Sequence, residues 1–246
     1  MAWSSASPAP HSASMPPGYT KVLKYGANLD VTTAETVWTP GGLYPWATWT
    51  GGNSITVEST DAGDTSISVT IEGLDANGAV QTVTTATNAS NGTTAVAVTG
   101  TWDRVYRAYL SGSNQTAAGA INIKISTTIV AQIAAGKGQT QMAVYTVPAG
   151  KVAYISLVDS SVSNSGGSSS GAQIEVFFRP SGGSWRMLEQ LFPRDGDAHR
   201  KWANGSIESG QRLDALTDID VRANQLGSPA GDVYVGVSFN IFLRDV

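Results

Sequence analysis

The segment VYVGVSFNIFLRDV alternates without a break, placing Val233, Val235, Val237, Phe239, Ile241 and Leu243 at every second position. Side chains that alternate between two faces belong to a β-strand; a helix would scatter these six around its circumference. An apolar face of this length has to be covered by a second sheet. The segment therefore predicts a central strand in a sandwich of jelly-roll type.

The same period recurs along the chain. TSISVTIEGL places Ile67, Val69 and Ile71 on one face, and INIKIST does so with Ile121, Ile123 and Ile125. Asp75, Asn77 and Gly78 suit a hairpin turn after the first of these, because Asn and Gly tolerate positive φ. WDRVYRAYL offers Trp102, Val105 and Tyr109 for burial. QIEVFFRPSGGSWRMLEQLF predicts a long hairpin with its loop at PSGGS, and DIDVRA sets Ile219 and Val221 opposite Asp218, Asp220 and Arg222. No segment has a convincing helical period. With only 14% charged residues and 27 Gly, the composition is that of an all-β protein with long polar turns.

Gly136, Lys137 and Gly138 interrupt the apolar pattern and suggest a seam. The expected organisation is an extended Ser/Ala/Pro-rich arm over 1–19, a β-sandwich domain over 20–132 and a second, jelly-roll-like sandwich over 138–246. The first residues have neither the basic start nor the apolar run of a signal peptide, and no later stretch approaches the length of a membrane-spanning helix.

Chemistry is sparse. The net charge is −4 with Lys and Arg scattered singly, which argues against nucleic acid and anionic membranes as partners. Cysteine is absent, excluding disulfides, thiolate metal sites and thiol nucleophiles. GSSSG matches a nucleophile elbow around Ser169 only formally, since it sits in a Ser/Gly tract and the histidines are His11 and His199. AAGKGQT lacks the Gly-Lys-Ser/Thr ending of a phosphate loop. Asp195, Asp197 and His199 alternate in RDGDAHRKW and could converge on a cation; they meet no recognised metal spacing, and the plainer reading is a polar loop whose acids pair with Arg194, Arg200 and Lys201. No catalytic, cofactor or metal residue is assigned.

The densest feature is VWTPGGLYPWATW, with Trp38, Tyr44, Trp46 and Trp49. Rings among Gly and Pro can plug the end of a sandwich, make a subunit contact, or stack on sugars. They are the candidate interaction residues, together with Trp3, Pro8 and Pro10 of the arm.

KYGANLDVTTAETVWTPGGLYPW, DTSISVTIEGLDANGAVQTV, GQTQMAVYTVPAGKVAYI and DIDVRA resemble the virion structural proteins of tailed bacteriophages. That family shows a Lys-aromatic-Gly start, a Glu-Thr-Val-Trp strand, a Gly-Leu-Asp hairpin and a Val-Pro-Ala-Gly-Lys turn. The resemblance covers roughly residues 20 to 245. It implies a capsid decoration, or cement, protein: a homotrimer on the outer capsid surface, partnered by the major capsid protein and other virion proteins, without enzymatic activity or cofactor. A head-to-tail or tail-associated protein, or a carbohydrate-binding adhesin module, are the alternatives.

Overall fold

The computed structural model describes residues 17–113, 115–166, 171–194, 196, 198–202, 211–227 and 231–246. Their regular structure is β, apart from one 3-10 turn at Trp46–Thr48. The strands are β1 (Tyr19–Asn28), β2 (Glu35–Thr36), β3 (Thr56–Ser59), β4 (Ser68–Leu74), β5 (Val80–Ala86), β6 (Val96–Ala97), β7 (Arg104–Leu110), β8 (Ile121–Ile125) and β9 (Thr128–Ile133). Then follow β10 (Val144–Thr146), β11 (Lys151–Asn164), β12 (Gly171–Arg179), β13 (Arg186–Leu191), β14 (Ala198–Trp202), β15 (Arg212–Leu213), β16 (Asp218–Leu226) and β17 (Val233–Asp245).

They form four antiparallel sheets. Two are large: β1-β17-β11-β14 with β15 added on β11, and β10-β16-β12-β13 with β2 added on β16. Two are smaller: β6-β3-β8-β9 and β5-β4-β7. As the alternation predicts, β17 is central, hydrogen-bonded to β1 on one side and β11 on the other. Its six apolar side chains enter a core completed by Ile155 and Val158 of β11, Ile174 and Val176 of β12, and Ile219 and Val221 of β16. Burying six such residues is worth on the order of 10 kcal/mol before chain entropy is set against it.

A bulge between Ile155 and Leu157 shifts β11 by one residue. The inward residues therefore change from Ala153 and Ile155 to Val158 and Val162, so one long strand keeps a single buried face across a change of phase.

The smaller sheets enclose a second core of Val57, Val69, Ile71, Val105, Ala108, Ile121, Ile123, Val130 and Ile133. The turn at Asp75 is built as expected: the Asp75 carboxylate accepts from the Asn77 and Ala79 amides. The chain leading into the expected seam at Gly136, Lys137 and Gly138 is strand, because Thr128–Ile133 returns along β8.

The division at residue 20 also differs from expectation. β1 pairs with β17 along its whole length and β2 pairs with β16, so both complete the sheets of the C-terminal half. The second core is thus built from chain lying between β2 and β10. β10 and the residues beside it are the common wall: Ala143, Tyr145 and Val147 face the first core, Met142 and Val144 the second. Val37 and Trp38 divide in the same way.

The Lys24-Tyr25-Gly26 opening finds its use here. A Cβ on Gly26 would stand 2.3 Å from the Val37 carbonyl oxygen and 2.5 Å from the Ala143 nitrogen. Glycine is what lets β1 lie against the segment where the two cores meet.

Candidate functional site

The outer face of β16 carries Asp218 and Asp220 toward the second core, as the alternation of DIDVRA requires. Both are buried. Asp218 accepts from Arg104 Nε at 2.9 Å and Nη2 at 3.1 Å, from Arg179 Nη2 at 2.6 Å, and from the Thr146 hydroxyl at 2.7 Å. Asp220 accepts from the Thr36 hydroxyl at 2.9 Å, the Trp46 indole at 3.0 Å and Arg222 Nε at 2.9 Å. Two carboxylates on one strand thereby join β2, β7, β10, β12 and the 3-10 turn.

Burial pushes the Asp220 carboxyl above the usual range, with Arg222 opposing. Burial also works against the charge of Arg104, but the hydrogen bonds and charge of Asp218 outweigh it and hold the guanidinium above its ordinary value.

Aromatic rings and guanidinium groups alternate beside these acids. Arg104 and Arg179 each lie 5.6 Å from the Trp46 ring centre. Arg179 lies 4.7 Å and Arg222 5.1 Å from that of Trp185, and Arg222 lies 4.7 Å from Phe177. Trp46 and Trp185 are 5.3 Å apart. A pocket of about 180 Å³ opens where Arg104, Arg179 and Asp218 meet Ser181 and Gly182 of the β12–β13 loop. With its charged groups already paired, the cluster is suited to holding the two cores in register.

Trp38, Tyr44, Trp46 and Trp49 are interior, which corrects their assignment as interaction residues. Trp46 is 7% and Trp49 8% exposed. The rings pack edge to face, Trp38 on Tyr44 at 5.1 Å and Tyr44 on Trp46 at 4.7 Å. Each indole nitrogen has an internal acceptor: the Gly41 carbonyl for Trp38, Asp220 for Trp46 and the Tyr44 hydroxyl for Trp49. Such rings offer no open face to a sugar or to another subunit. Burial pushes the Tyr44 hydroxyl far above the ordinary phenol range.

Trp3, Pro8 and Pro10 lie outside the described residues, as do Ser169, Asp195 and Asp197; of His199 the strand position alone is described. Among the described residues no three His, Asp or Glu side chains gather as a metal site requires. The sequence reading set Arg222 beside Asp218 and Asp220 but missed Arg104, Arg179 and Trp185 at the junction. The alternation of charge along DIDVRA was the one available signal.

Lys24 is the other feature not anticipated. It points inward from β1, donates to the Tyr106 carbonyl and stands 5.6 Å from the Tyr106 ring centre. Burial pushes its ammonium down to about 7; Arg107 adds to the effect and Glu72 opposes it.

No known protein family matches the chain. No curated protein matches it either. Among solved structures it is similar to that of infectious bursal disease virus Gx strain, at 11% identity and a TM-score of 0.22, covering 93% of this chain and 76% of that one. The Gt strain structure gives 11% identity and a TM-score of 0.18, covering 95% and 80%. Superpositions this loose do not establish a common fold.

Proposed function

We propose that the chain is a structural protein of a virus particle, a capsid decoration protein of the tailed-phage type that seats on the outer shell and stabilises contacts between major capsid subunits. The observation that carries this is the strand order. Eight strands form two facing sheets, β1-β17-β11-β14 and β10-β16-β12-β13, and the chain crosses between them from β10 to β11, β11 to β12, β13 to β14, β14 to β16 by way of β15, and β16 to β17. We read this as a jelly roll carrying an inserted β unit between its first and second strands, an architecture recurrent in viral capsid and lectin domains.

Fold alone does not decide function, so the use made of the motif residues matters. Gly26, Val37, Trp38, Asp218 and Asp220 all lie in segments that resemble phage virion proteins, and each is spent on the junction between cores. That use supports an architectural role without catalysis. The lectin-like alternative loses its platform with the burial of Trp46 and Trp49.

A shell-stapling protein works because separating two shell subunits must also break its own contacts, and many copies add by multivalency. The resemblance implies a trimer at each position.

The test adds purified protein to heads of the encoding phage that lack it. Saturable co-sedimentation with the heads and a raised temperature of head rupture are expected, with attachment weakened by removing residues 1–18. Failure to bind heads, or density only at the neck or tail in electron micrographs, would replace decoration with the head-to-tail reading.

A further inference from the structure

We infer that the pocket between β7, β10 and the β12–β13 loop binds a single neutral sugar ring, held by hydrogen bonds to its hydroxyl groups rather than by stacking on an aromatic ring. It is a recess of about 180 Å³ where the two cores meet. At about 30 Å³ per water molecule it has room for roughly six. Pockets for drug-sized ligands begin at about 300 Å³, so this one suits one small ring.

Charge decides the class of guest. Asp103, Arg104, Arg179 and Asp218 all line the pocket. Arg104 bridges Asp103 and Asp218, and Asp218 also holds Arg179. Two acids and two bases cancel, so an ion of either sign would have to draw one of them away from its partner. A neutral guest breaks no pair.

Hydrogen-bonding capacity is left over at the pocket surface. Arg179 spends Nε and Nη2 on Asp218, and among the described residues Nη1 has no acceptor. Asp103 accepts from Arg104 through Oδ1, leaving Oδ2 as an acceptor. Ser181, exposed on the loop, adds a hydroxyl. A guest must therefore donate to the acid and accept from the guanidinium at neighbouring points. One hydroxyl group does both, and adjacent hydroxyls on a ring bridge a carboxylate and a guanidinium in this way. Pro180 and Leu216 supply an apolar wall for the C–H face of the ring. Leu216 has a left-handed backbone, with φ of 60°, and its amide is tied to the Val147 carbonyl at 2.8 Å. Side chains of this bulk rarely enter that region, and backbone held there gathers at ligand sites.

The probes are the methyl glycosides of glucose, galactose, mannose and N-acetylglucosamine, with glycerol as the control. A contact of this size gives a dissociation constant in the millimolar range, read from amide shifts in a two-dimensional NMR titration of the whole chain. At least one glycoside is expected to shift the amides of Ser181, Gly182 and Gly183 saturably. Ser181→Trp, a change at an exposed loop position that sets an indole across the mouth, should weaken that binding by about tenfold or more while amides outside the loop stay where they are. No saturable shift with any of the four glycosides, equal shifts with glycerol, or undiminished binding by Ser181→Trp overturns the inference. Attachment to heads is measured separately, so this inference and the decoration proposal can fail independently.

Discussion

Lys24 shows how one buried group sets a pH dependence. Its folded value of about 7 lies below the ordinary 10.5. Below pH 7 the ammonium is charged in both states, and the folded protein bears the full cost of burying it. Between pH 7 and 10.5 the unfolded chain holds a proton that the folded chain does not, so stability rises with pH, by up to about 1.4 kcal/mol per unit. Lys24→Met is expected to remove that rise and to be more stable than the parent at pH 6. Urea unfolding at intervals from pH 6 to 10 measures it; an unchanged slope would refute the assignment. The Tyr106 hydroxyl, pushed up to about 12 by burial, works in the opposite sense above pH 10, where the unfolded phenol ionises first. On the acid side, burial raises the carboxyls of Glu35 and Asp64, yet hydrogen bonds outweigh it: Gly42 and Thr32 hold Glu35 below its ordinary value, and Ser59, Ala118 and Gly119 do so for Asp64. Their stabilisation is present above the unfolded values and is lost as pH falls through the folded ones.

Strand β16 concentrates the junction. Removing Asp218 leaves the Arg179 guanidinium without its carboxylate and that of Arg104 with Asp103 alone. Asp218→Ala is expected to cost about 3 kcal/mol or more in denaturant unfolding. Asp214→Ala breaks an exposed pair with Arg212 and should cost less than about 1 kcal/mol. Equal losses in the two variants would mean that the buried cluster contributes no more than a surface pair. The strands themselves were largely legible, since period-two alternation marks β4, β8, β16 and β17 directly. Bulges were not: the phase change within β11 depends on how it pairs with β17, and three other pairings shift register too, at Glu72/Gly73, Ile123/Lys124 and Val176/Phe177.

At the scale of the whole molecule, the two cores share a wall. Met142 and Val144 alternate with Ala143, Tyr145 and Val147, so neither core can lose this segment without exposing the other. Thermal unfolding is expected as one transition in calorimetry, with calorimetric and van't Hoff enthalpies equal. Two resolved transitions would show that the cores are energetically separate. By itself the sequence determined the strand class, the central place of β17 and the lack of any recognised catalytic or metal spacing, because alternation and residue inventory are local properties of the chain. Only the tertiary structure decided that β1 and β2 belong with strands some two hundred residues later, that the Trp38–Trp49 cluster faces inward, and that Arg104, Arg179 and Arg222 converge on Asp218 and Asp220. Those outcomes depend on long-range pairing, which no period in the sequence records.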